Sequence, residues 1–241
     1  MNIFAHRGSS GTHPENTLAA FKDAATLPIY GVEFDVHLTK DDEIVVIHDE
    51  EIDRTANGTG FVKDLTLEQL KQYDFGRTFS EQFKGEPIPT LEEVLQVYLH
   101  TDHCLNVELK SDVIDYDGLE KKVLALINTY NLADRVVISS FNHEAIKRVK
   151  ALQPTIKTAP LFLNNMVAET LQYVEKLDAV AIHTSEKLID QIDVAAMNST
   201  GRSVRVYTVN HIEQVKPLEA LGVEAIFTDY PEKMLRTIAT T

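Results

Sequence analysis

The sequence predicts an α/β protein folded as a (β/α)₈, or TIM, barrel with a small insertion after the second strand. Short apolar segments alternate with segments of helical periodicity along all 241 residues, and this alternation favours a parallel sheet. Eight such strand–helix pairs in a chain of this length fit a closed barrel. Polar residues follow nearly every apolar segment, as expected where barrel strands end at an active-site mouth. A doubly wound open sheet is the alternative fold.

The predicted strands and helices can be placed from local patterns. Barrel strands are predicted at residues 3–5, 31–39, 104–110, 135–141, 158–162, 179–183, 204–210 and 225–228. Helices are predicted at residues 16–25, 117–130, 143–152, 167–175, 187–197 and 212–221, and from Thr90 and Pro231 onwards. Thr90 and Glu93 form a capping-box pattern, and proline is favourable in the first turn of a helix.

The second predicted strand is too long for a barrel strand and continues into a hairpin. Residues 40–43 form a turn-rich tetrapeptide, and residues 44–47 return as a strand that ends at His48. Because a hairpin brings its end back beside its start, His48 is predicted to lie near Glu33 and Asp35. Residues 49–89 are predicted to form an inserted subdomain over the mouth, within a single catalytic domain of residues 1–241.

Composition excludes several classes of function. The net charge is −14 and no run rich in lysine and arginine is present, so a nucleic-acid partner is not expected. Cys104 is the single cysteine, which rules out an intrachain disulfide. No apolar run approaches the roughly 20 residues that span a bilayer, and the first strand starts without a signal-peptide pattern. We expect a cytoplasmic protein without a stable membrane anchor.

Polar side chains cluster at the carboxyl ends of all predicted strands except residues 158–162. They are Arg7, Glu33, Asp35, Glu108, Lys110, Ser139, Ser140, His183, Tyr207, Thr208, Asn210, Thr228 and Asp229. In a barrel these ends meet at one mouth, so a single polar site is predicted there. His183, at the end of its predicted strand, is a candidate for contact with the substrate.

Three of these residues suit a metal ion. Glu33 and Asp35 are two residues apart on a strand and therefore face the same way, about 6.6 Å apart along it. Glu108 lies on the neighbouring strand, where polar residues alternate with apolar ones and so face inward. Carboxylate oxygens with open positions between them suit a hard divalent cation, Mg²⁺ or Ca²⁺.

Two histidines and two basic residues complete the predicted chemistry. His6 and His48 can serve as general acid and base on either side of a metal-bound group. Arg7 and Lys110 can neutralise phosphate oxygens. This combination matches hydrolysis of a phosphate ester. The chain contains neither a P-loop nor a Gly-x-Ser-x-Gly elbow, which argues against nucleoside triphosphate substrates and serine hydrolases.

The ordered set of motifs resembles the glycerophosphodiester phosphodiesterase family. The matching pieces are His6-Arg7-Gly8, Pro14-Glu15-Asn16-Thr17, Glu33-Phe34-Asp35, Val46-Ile47-His48-Asp49, Asp53-Arg54-Thr55, Asn57-Gly58-Thr59-Gly60, Val107-Glu108-Leu109-Lys110, Ser139-Ser140-Phe141, Tyr207-Thr208-Val209-Asn210 and Thr228-Asp229-Tyr230-Pro231. They occur in family order over nearly the whole chain. The resemblance implies hydrolysis of small glycerophosphodiesters to sn-glycerol 3-phosphate and an alcohol.

The resemblance also implies roles for individual residues. It implies His6 and His48 as the acid–base pair, the three carboxylates as ligands of Mg²⁺ or Ca²⁺, and the two basic residues as phosphate ligands. Glu15 and Asn16 would brace the mouth, with Asn16 near the metal. Phe141 and Tyr207 would line the glycerol end, although the family more often has tryptophan where Tyr207 stands. The sequence does not decide which histidine is the base. It also does not decide whether water or the glycerol 2-hydroxyl attacks.

Two alternative functions are also considered. A phospholipase-like phosphodiesterase acting on lipid would need an exposed apolar rim, whereas the insertion is mostly polar. A non-catalytic phosphodiester-binding protein would be expected to have lost a histidine or a metal carboxylate, and all five are present. The alcohol on the diester, the preferred metal and the oligomeric state are not predicted.

Overall fold

The computed structural model describes residues 1–163 and 169–239. Within these residues eight parallel strands close into a barrel, and a ninth strand pairs antiparallel with β2. The strands are β1 Asn2–His6, β2 Gly31–Leu38, β3 Ile44–Val46, β4 Cys104–Leu109, β5 Val136–Ser140, β6 Lys157–Phe162, β7 Ala181–Ser185, β8 Ser203–Tyr207 and β9 Ala225–Thr228. Because β1 pairs with both β2 and β9, the sheet closes. The predicted (β/α)₈ barrel is therefore confirmed, and the open sheet is excluded.

Helices cover the outside of the barrel, and one short helix of four residues lies in the segment that follows the hairpin. They are α1 Leu18–Ala25, α2 Leu67–Leu70, α3 Leu91–Val97, α4 Leu119–Thr129, α5 His143–Leu152, α6 Thr170–Lys176, α7 Val194–Ser199, α8 Val215–Ala220 and α9 Pro231–Ala239. The predicted start of α6 at residue 167 lies outside the described residues. The longest described helix, α4, has 11 residues, and none of those described is long and apolar enough to cross a membrane.

Two helix predictions were wrong in detail. Residues 187–197 were predicted as one helix, but they form a 3₁₀ segment, Glu186–Gln191, followed by α7 after Asp193. The Asp193 side chain accepts a hydrogen bond from the Ala196 backbone N–H and so starts a new helix. The segment predicted at 212–221 likewise begins as the 3₁₀ turn Ile212–Gln214. Helical periodicity alone does not distinguish these tighter turns from α-helix.

The main core lies between the barrel strands and the helices. In β4, Leu105, Val107 and Leu109 are fully buried in this layer, whereas Asn106 and Glu108 line the cavity inside the barrel. The polar–apolar alternation of the strand therefore separates the hydrophobic core from the site, as the sequence predicted.

The predicted hairpin is present and positions His48. Val36 of β2 pairs with Val46 of β3, and the Ile47 backbone N–H donates to the Asp35 carbonyl oxygen at 3.0 Å. His48, the next residue, therefore emerges beside Asp35. The following residues, up to Ile88, contribute to a second hydrophobic cluster that also includes Val45 and Ile47.

A tight turn follows β1 and directs the next residues toward the cavity. Gly8 has φ +77°, and a Cβ at this position would lie 2.8 Å from the backbone carbon of Ala20 in α1. A side chain here would thus meet both an unfavourable backbone conformation and a fixed neighbour. Gly8 allows α1 to pack directly against the turn.

We expect Gly8→Ala to lower the free energy of unfolding by about 2–4 kcal/mol, from the left-handed backbone and the clash together. Gly201→Ala is the matched control, because Gly201 has φ +75° but nothing within 4 Å of an added Cβ. It should lose only the backbone part, about 1–2 kcal/mol. Urea unfolding would measure both values. Equal losses in the two variants would contradict a specific close approach at Gly8.

Candidate active site

One cavity of 580 Å³ lies at the carboxyl ends of the barrel strands and collects most of the predicted site residues. Those lining it are His6, Arg7, Glu33, His48, Glu108, Lys110, Phe141, His183 and Tyr207. Of the other predicted residues, Asp35 and Asn16 are buried, and Glu15 is half-buried in contact with Arg7. The structure thus brings residues from distant parts of the chain to one mouth.

The three predicted metal carboxylates form one compact group. Glu33, Asp35 and Glu108 are buried, and each offers an oxygen that lies within 4.8 Å of those of the other two. The Asn16 amide nitrogen donates to Asp35 Oδ2 at 2.9 Å. Its own oxygen, Oδ1, and Glu33 Oε1 are buried without a hydrogen-bond partner among the described residues. Buried oxygen donors in this arrangement fit a hard divalent cation.

The pKa shifts of the carboxylates also favour a bound cation. Burial and the negative charges of Asp35 and Glu108 raise the pKa of Glu33 well above its usual value. Burial and Asp35 also raise the pKa of Glu108, to about 7. Burial opposes the ionised form of Asp35 too, but Arg7 and His48 outweigh it and hold its pKa at about 2. The group therefore carries mutual repulsion that a bound cation would relieve.

His6 is held by a carboxylate from the last strand. Its Nδ1 lies 2.7 Å from Asp229 Oδ1, and its Nε2 lies 3.9 Å from Glu33 Oε2. Asn210 and Ser10 also donate to Asp229, at 2.6 and 3.0 Å. Burial would raise the pKa of Asp229, but these hydrogen bonds outweigh it and the pKa is lowered. An ionised Asp229 requires the proton on His6 Nδ1, which leaves Nε2 for the cavity.

His48 has the same arrangement on the other side. Its Nδ1 lies 2.6 Å from Asp49 Oδ1, and the pKa of Asp49 is lowered because hydrogen bonds from Arg54 and His48 outweigh its burial. The Lys110 ammonium lies 3.5 Å from His48 Nε2. Burial, and the nearby charges of Arg7 and Lys110, lower the pKa of His48. His48 is therefore neutral near pH 7, and its Nε2 lone pair faces the Lys110 ammonium.

The two basic residues lie against the carboxylates. Arg7 has φ +55°, and its backbone N–H donates to Glu33 Oε2 at 2.9 Å. Its guanidinium contacts Glu15 at 2.9 Å and Asp35 at 3.5 Å. The Lys110 ammonium lies 3.1 Å from Glu108 Oε1. Burial lowers the pKa of Lys110, but Glu108 and Asp35 outweigh it, so Lys110 is positively charged.

Phe141 and Tyr207 form an aromatic wall. Their rings meet edge to face with centroids 6.2 Å apart. The Tyr207 hydroxyl donates to the Phe162 carbonyl oxygen at 2.6 Å. This hydroxyl is thus bonded to the neighbouring strand.

His183 lies in the middle of β7 and not at its end, because the strand runs two residues further along the chain than predicted. Its side chain is fully buried at the cavity floor, with its ring centroid 4.8 Å from that of Phe227. Neither ring nitrogen has a hydrogen-bond partner among the described residues. Burial, with a smaller effect of Arg205, keeps the pKa of His183 well below its usual value. The ring is therefore neutral, and its two nitrogens are buried and unpaired among the described residues.

Comparisons with known proteins agree with this geometry. The sequence model of the glycerophosphoryl diester phosphodiesterase family matches residues 6–233. This chain belongs to that family. A glycerophosphodiester phosphodiesterase from Caldanaerobacter subterraneus subsp. tengcongensis is 42% identical over 236 residues, covering 98% of this chain and 97% of that protein. One from Bacillus altitudinis is 38% identical, covering 97% and 96%. The resemblance found in the sequence is confirmed.

Solved structures of the family have the same fold. A phosphodiesterase of Oleispira antarctica, solved in complex with the product sn-glycerol 3-phosphate, superposes with a TM-score of 0.88 at 32% identity, covering 99% of this chain and 97% of that chain. The glycerophosphodiester phosphodiesterase fold therefore extends over nearly the whole chain.

Sequence reasoning missed the second residue of each histidine pair. Asp229 and Asp49 belong to the quoted family motifs, but neither received a role. Asp49 directly follows His48, and this adjacency was a usable signal. No local pattern relates Asp229 to His6, which lies 223 residues earlier. Asn106 was also passed over, although its Oδ1 is buried in the cavity without a hydrogen-bond partner among the described residues.

Proposed function

We propose that this protein hydrolyses glycerophosphodiesters to sn-glycerol 3-phosphate and an alcohol. The observation that carries the proposal is the pair of histidines, each held at Nδ1 by an aspartate, flanking the three-carboxylate group in one cavity. Family membership and the activity named for the relatives support the same reaction. A soluble small-molecule diester is the substrate, with no nucleic-acid partner.

The proposed cofactor is one divalent cation, Mg²⁺ or Ca²⁺, held by Glu33, Asp35 and Glu108. When bound, it supplies positive charge for a phosphate oxygen and so favours attack at phosphorus. Asn16 holds Asp35 in place through its amide nitrogen. Arg7 and Lys110 lie beside these carboxylates and bind the remaining phosphate oxygens.

Proton transfer is assigned to the two histidines. His48 is neutral at pH 7 because its pKa is lowered, so its Nε2 removes the proton of the attacking hydroxyl. His6, carrying a proton on each ring nitrogen at this stage, gives its Nε2 proton to the oxygen of the leaving alcohol and keeps its Nδ1–H on Asp229. Asp49 and Asp229 keep each ring in the orientation and tautomer that these steps require.

The rest of the cavity positions the substrate. Phe141 and Tyr207 line the glycerol end, and Glu15 braces Arg7. Residues 49–89 form the proposed inserted subdomain at the mouth of a single catalytic domain. Asp49 and Arg54 contact residues of the site, and Glu50 lines the cavity. A cytoplasmic location stays a prediction from the sequence.

Release of sn-glycerol 3-phosphate tests the proposal. Glycerophosphocholine and glycerophosphoethanolamine should each be hydrolysed in the presence of Mg²⁺ or Ca²⁺, and a lysophospholipid should be a poorer substrate. A folded sample that releases no product from either diester with any cation would reject the proposal. Preferential hydrolysis of the lysophospholipid would instead support an enzyme acting on lipid.

The floor of the cavity allows a separate prediction about His183. We expect His183→Phe to leave the unfolding temperature unchanged or higher, because it removes a buried polar ring that has no partner. The same change should lower kcat/KM about tenfold or more if the ring bonds a substrate hydroxyl. Kinetics and thermal unfolding of the one variant would measure both effects.

His143→Phe is the comparison variant for the effect on the unfolding temperature. His143 bonds the Tyr173 hydroxyl at 2.8 Å and the Leu161 carbonyl oxygen at 3.0 Å, so its loss should destabilise the protein. A His183→Phe variant that is destabilised to the same extent but retains full activity would contradict a role for His183 in substrate binding.

A further inference from the structure

Arg54, in the segment that follows the hairpin, binds two carboxylates at once. Its Nε and Nη2 donate to the two oxygens of Asp49 at 2.7 and 3.1 Å. Its Nη1 and Nη2 donate to the two oxygens of Glu15 at 2.7 and 2.8 Å. A planar guanidinium can make two such forked contacts, whereas a lysine ammonium is a single point charge.

Each of these carboxylates also holds a residue of the proposed machinery. Asp49 Oδ1 lies 2.6 Å from His48 Nδ1. Glu15 Oε1 accepts a hydrogen bond from Arg7 Nη1 at 2.9 Å. Arg54 is therefore one carboxylate away from the proposed base on one side and from the proposed phosphate ligand on the other.

These contacts join segments that are far apart in the sequence. Glu15 lies in the loop between β1 and α1, whereas Asp49 and Arg54 follow the hairpin. Arg54 is 39 residues from Glu15 in the sequence. The Arg54 side chain is 48% exposed, whereas those of Glu15 and Asp49 are 21% and 29% exposed. An isolated ion pair on the surface contributes about 0–1 kcal/mol to folding stability, but forked contacts within a network also fix the orientation of both carboxylates.

We propose that Arg54 is a positioning residue, which orients His48 through Asp49 and Arg7 through Glu15. This inference rests on the proposed function. The inserted segment then does more than border the cavity, because it supplies the side chain that fixes the positions of His48 and Arg7 relative to each other. Its removal should impair turnover much more than folding.

The test compares Arg54→Met with Arg77→Met. Arg77 is an exposed arginine of the same insertion, and among the described residues its side chain pairs only with Glu81, four residues further along the chain. Arg54→Met should lower kcat about 10–100-fold, the usual effect of losing an outer group that orients a catalytic ligand. Arg77→Met should leave kcat within about twofold, and both variants should unfold at similar temperatures. Arg54→Lys should restore little of the activity.

Two further measurements separate positioning from a structural role. In an Asp49→Asn background, Arg54→Met should lower kcat by a smaller factor than in the unmodified protein, because its path to His48 is already broken and only the path to Arg7 through Glu15 is left to lose. With ¹⁵N-labelled histidine, the Nδ1–H signal of His48, assigned by its absence in His48→Ala, should shift or broaden in Arg54→Met and not in Arg77→Met.

The spectroscopic measurement does not depend on activity. If the unmodified protein releases no sn-glycerol 3-phosphate while the His48 signal still depends on Arg54, the proposed function fails and the positioning role stands. If the unmodified protein is active and Arg54→Met matches Arg77→Met in both kcat and spectrum, the inference about Arg54 is overturned.

Discussion

The His48→Ala and His6→Ala variants are each expected to lose about 10²–10⁴-fold in kcat on glycerophosphocholine, the usual contribution of general acid–base catalysis. His48 is the proposed proton acceptor because its pKa is lowered by burial and by its cationic neighbours. His6 presents Nε2 to the cavity from its position on Asp229. Neither change alters the carboxylate group, so KM should change much less than kcat. Initial rates of sn-glycerol 3-phosphate release would measure both parameters.

His100→Ala is the matched control, because His100 is an exposed histidine outside the cavity. It should keep normal kinetics. Circular dichroism and thermal unfolding would verify that all three variants are folded. Near-normal turnover in His6→Ala or His48→Ala would contradict the assignment of proton transfer to that residue.

Removal of divalent cations is expected to abolish turnover, and Mg²⁺ or Ca²⁺ added after the chelator is removed should restore it. Asp35→Asn should show no restoration, because it replaces an anionic donor in a group of three buried carboxylates. Binding should also be visible without catalysis. A cation at 100 times its Kd stabilises the folded state by about 2.7 kcal/mol, so the unfolding temperature should rise in the unmodified protein and not in Asp35→Asn.

Two controls sharpen this experiment. Glu68→Gln removes an exposed carboxylate in α2 and should leave the cation response unchanged. Glu108→Gln, without cation, should unfold at the same temperature or higher near pH 7, because burial and Asp35 raise the pKa of Glu108 to about 7 despite its contact with Lys110. Full activity in a chelated sample, verified as metal-free by elemental analysis, would contradict the proposal that the reaction depends on a metal ion.

The strand-and-helix plan was accessible from sequence because it depends on local spacing. In β4, polar residues alternate with leucine and valine, which predicted both the strand and its inward polar face. The start of α9 at Pro231 and the bounds of α5 at 143–152 agree with the prediction. The shift of β7 by two residues was not accessible, since residues 179–183 are almost continuously apolar and contain no turn signal at the boundary.

The candidate site was also predictable only in part. His6, His48 and the three carboxylates could be named because the barrel rule places strand ends at one mouth, and the hairpin explains how His48 returns to it. The aspartates that hold the histidines carry no such local signal, apart from the adjacency of Asp49. From the sequence alone, a carboxylate at a strand end could contact any of several side chains at the mouth. The closed barrel determines which one it contacts.

By itself, the sequence determined the order of strands and helices and the polar ends of the strands, and it named candidates for the reacting groups, because each of these rests on a local pattern. Only the tertiary structure decided that β9 closes against β1 and so brings Asp229 to His6. It also decided that Arg54 joins Glu15 to Asp49. Such contacts depend on packing between distant segments, for which local periodicity contains no information.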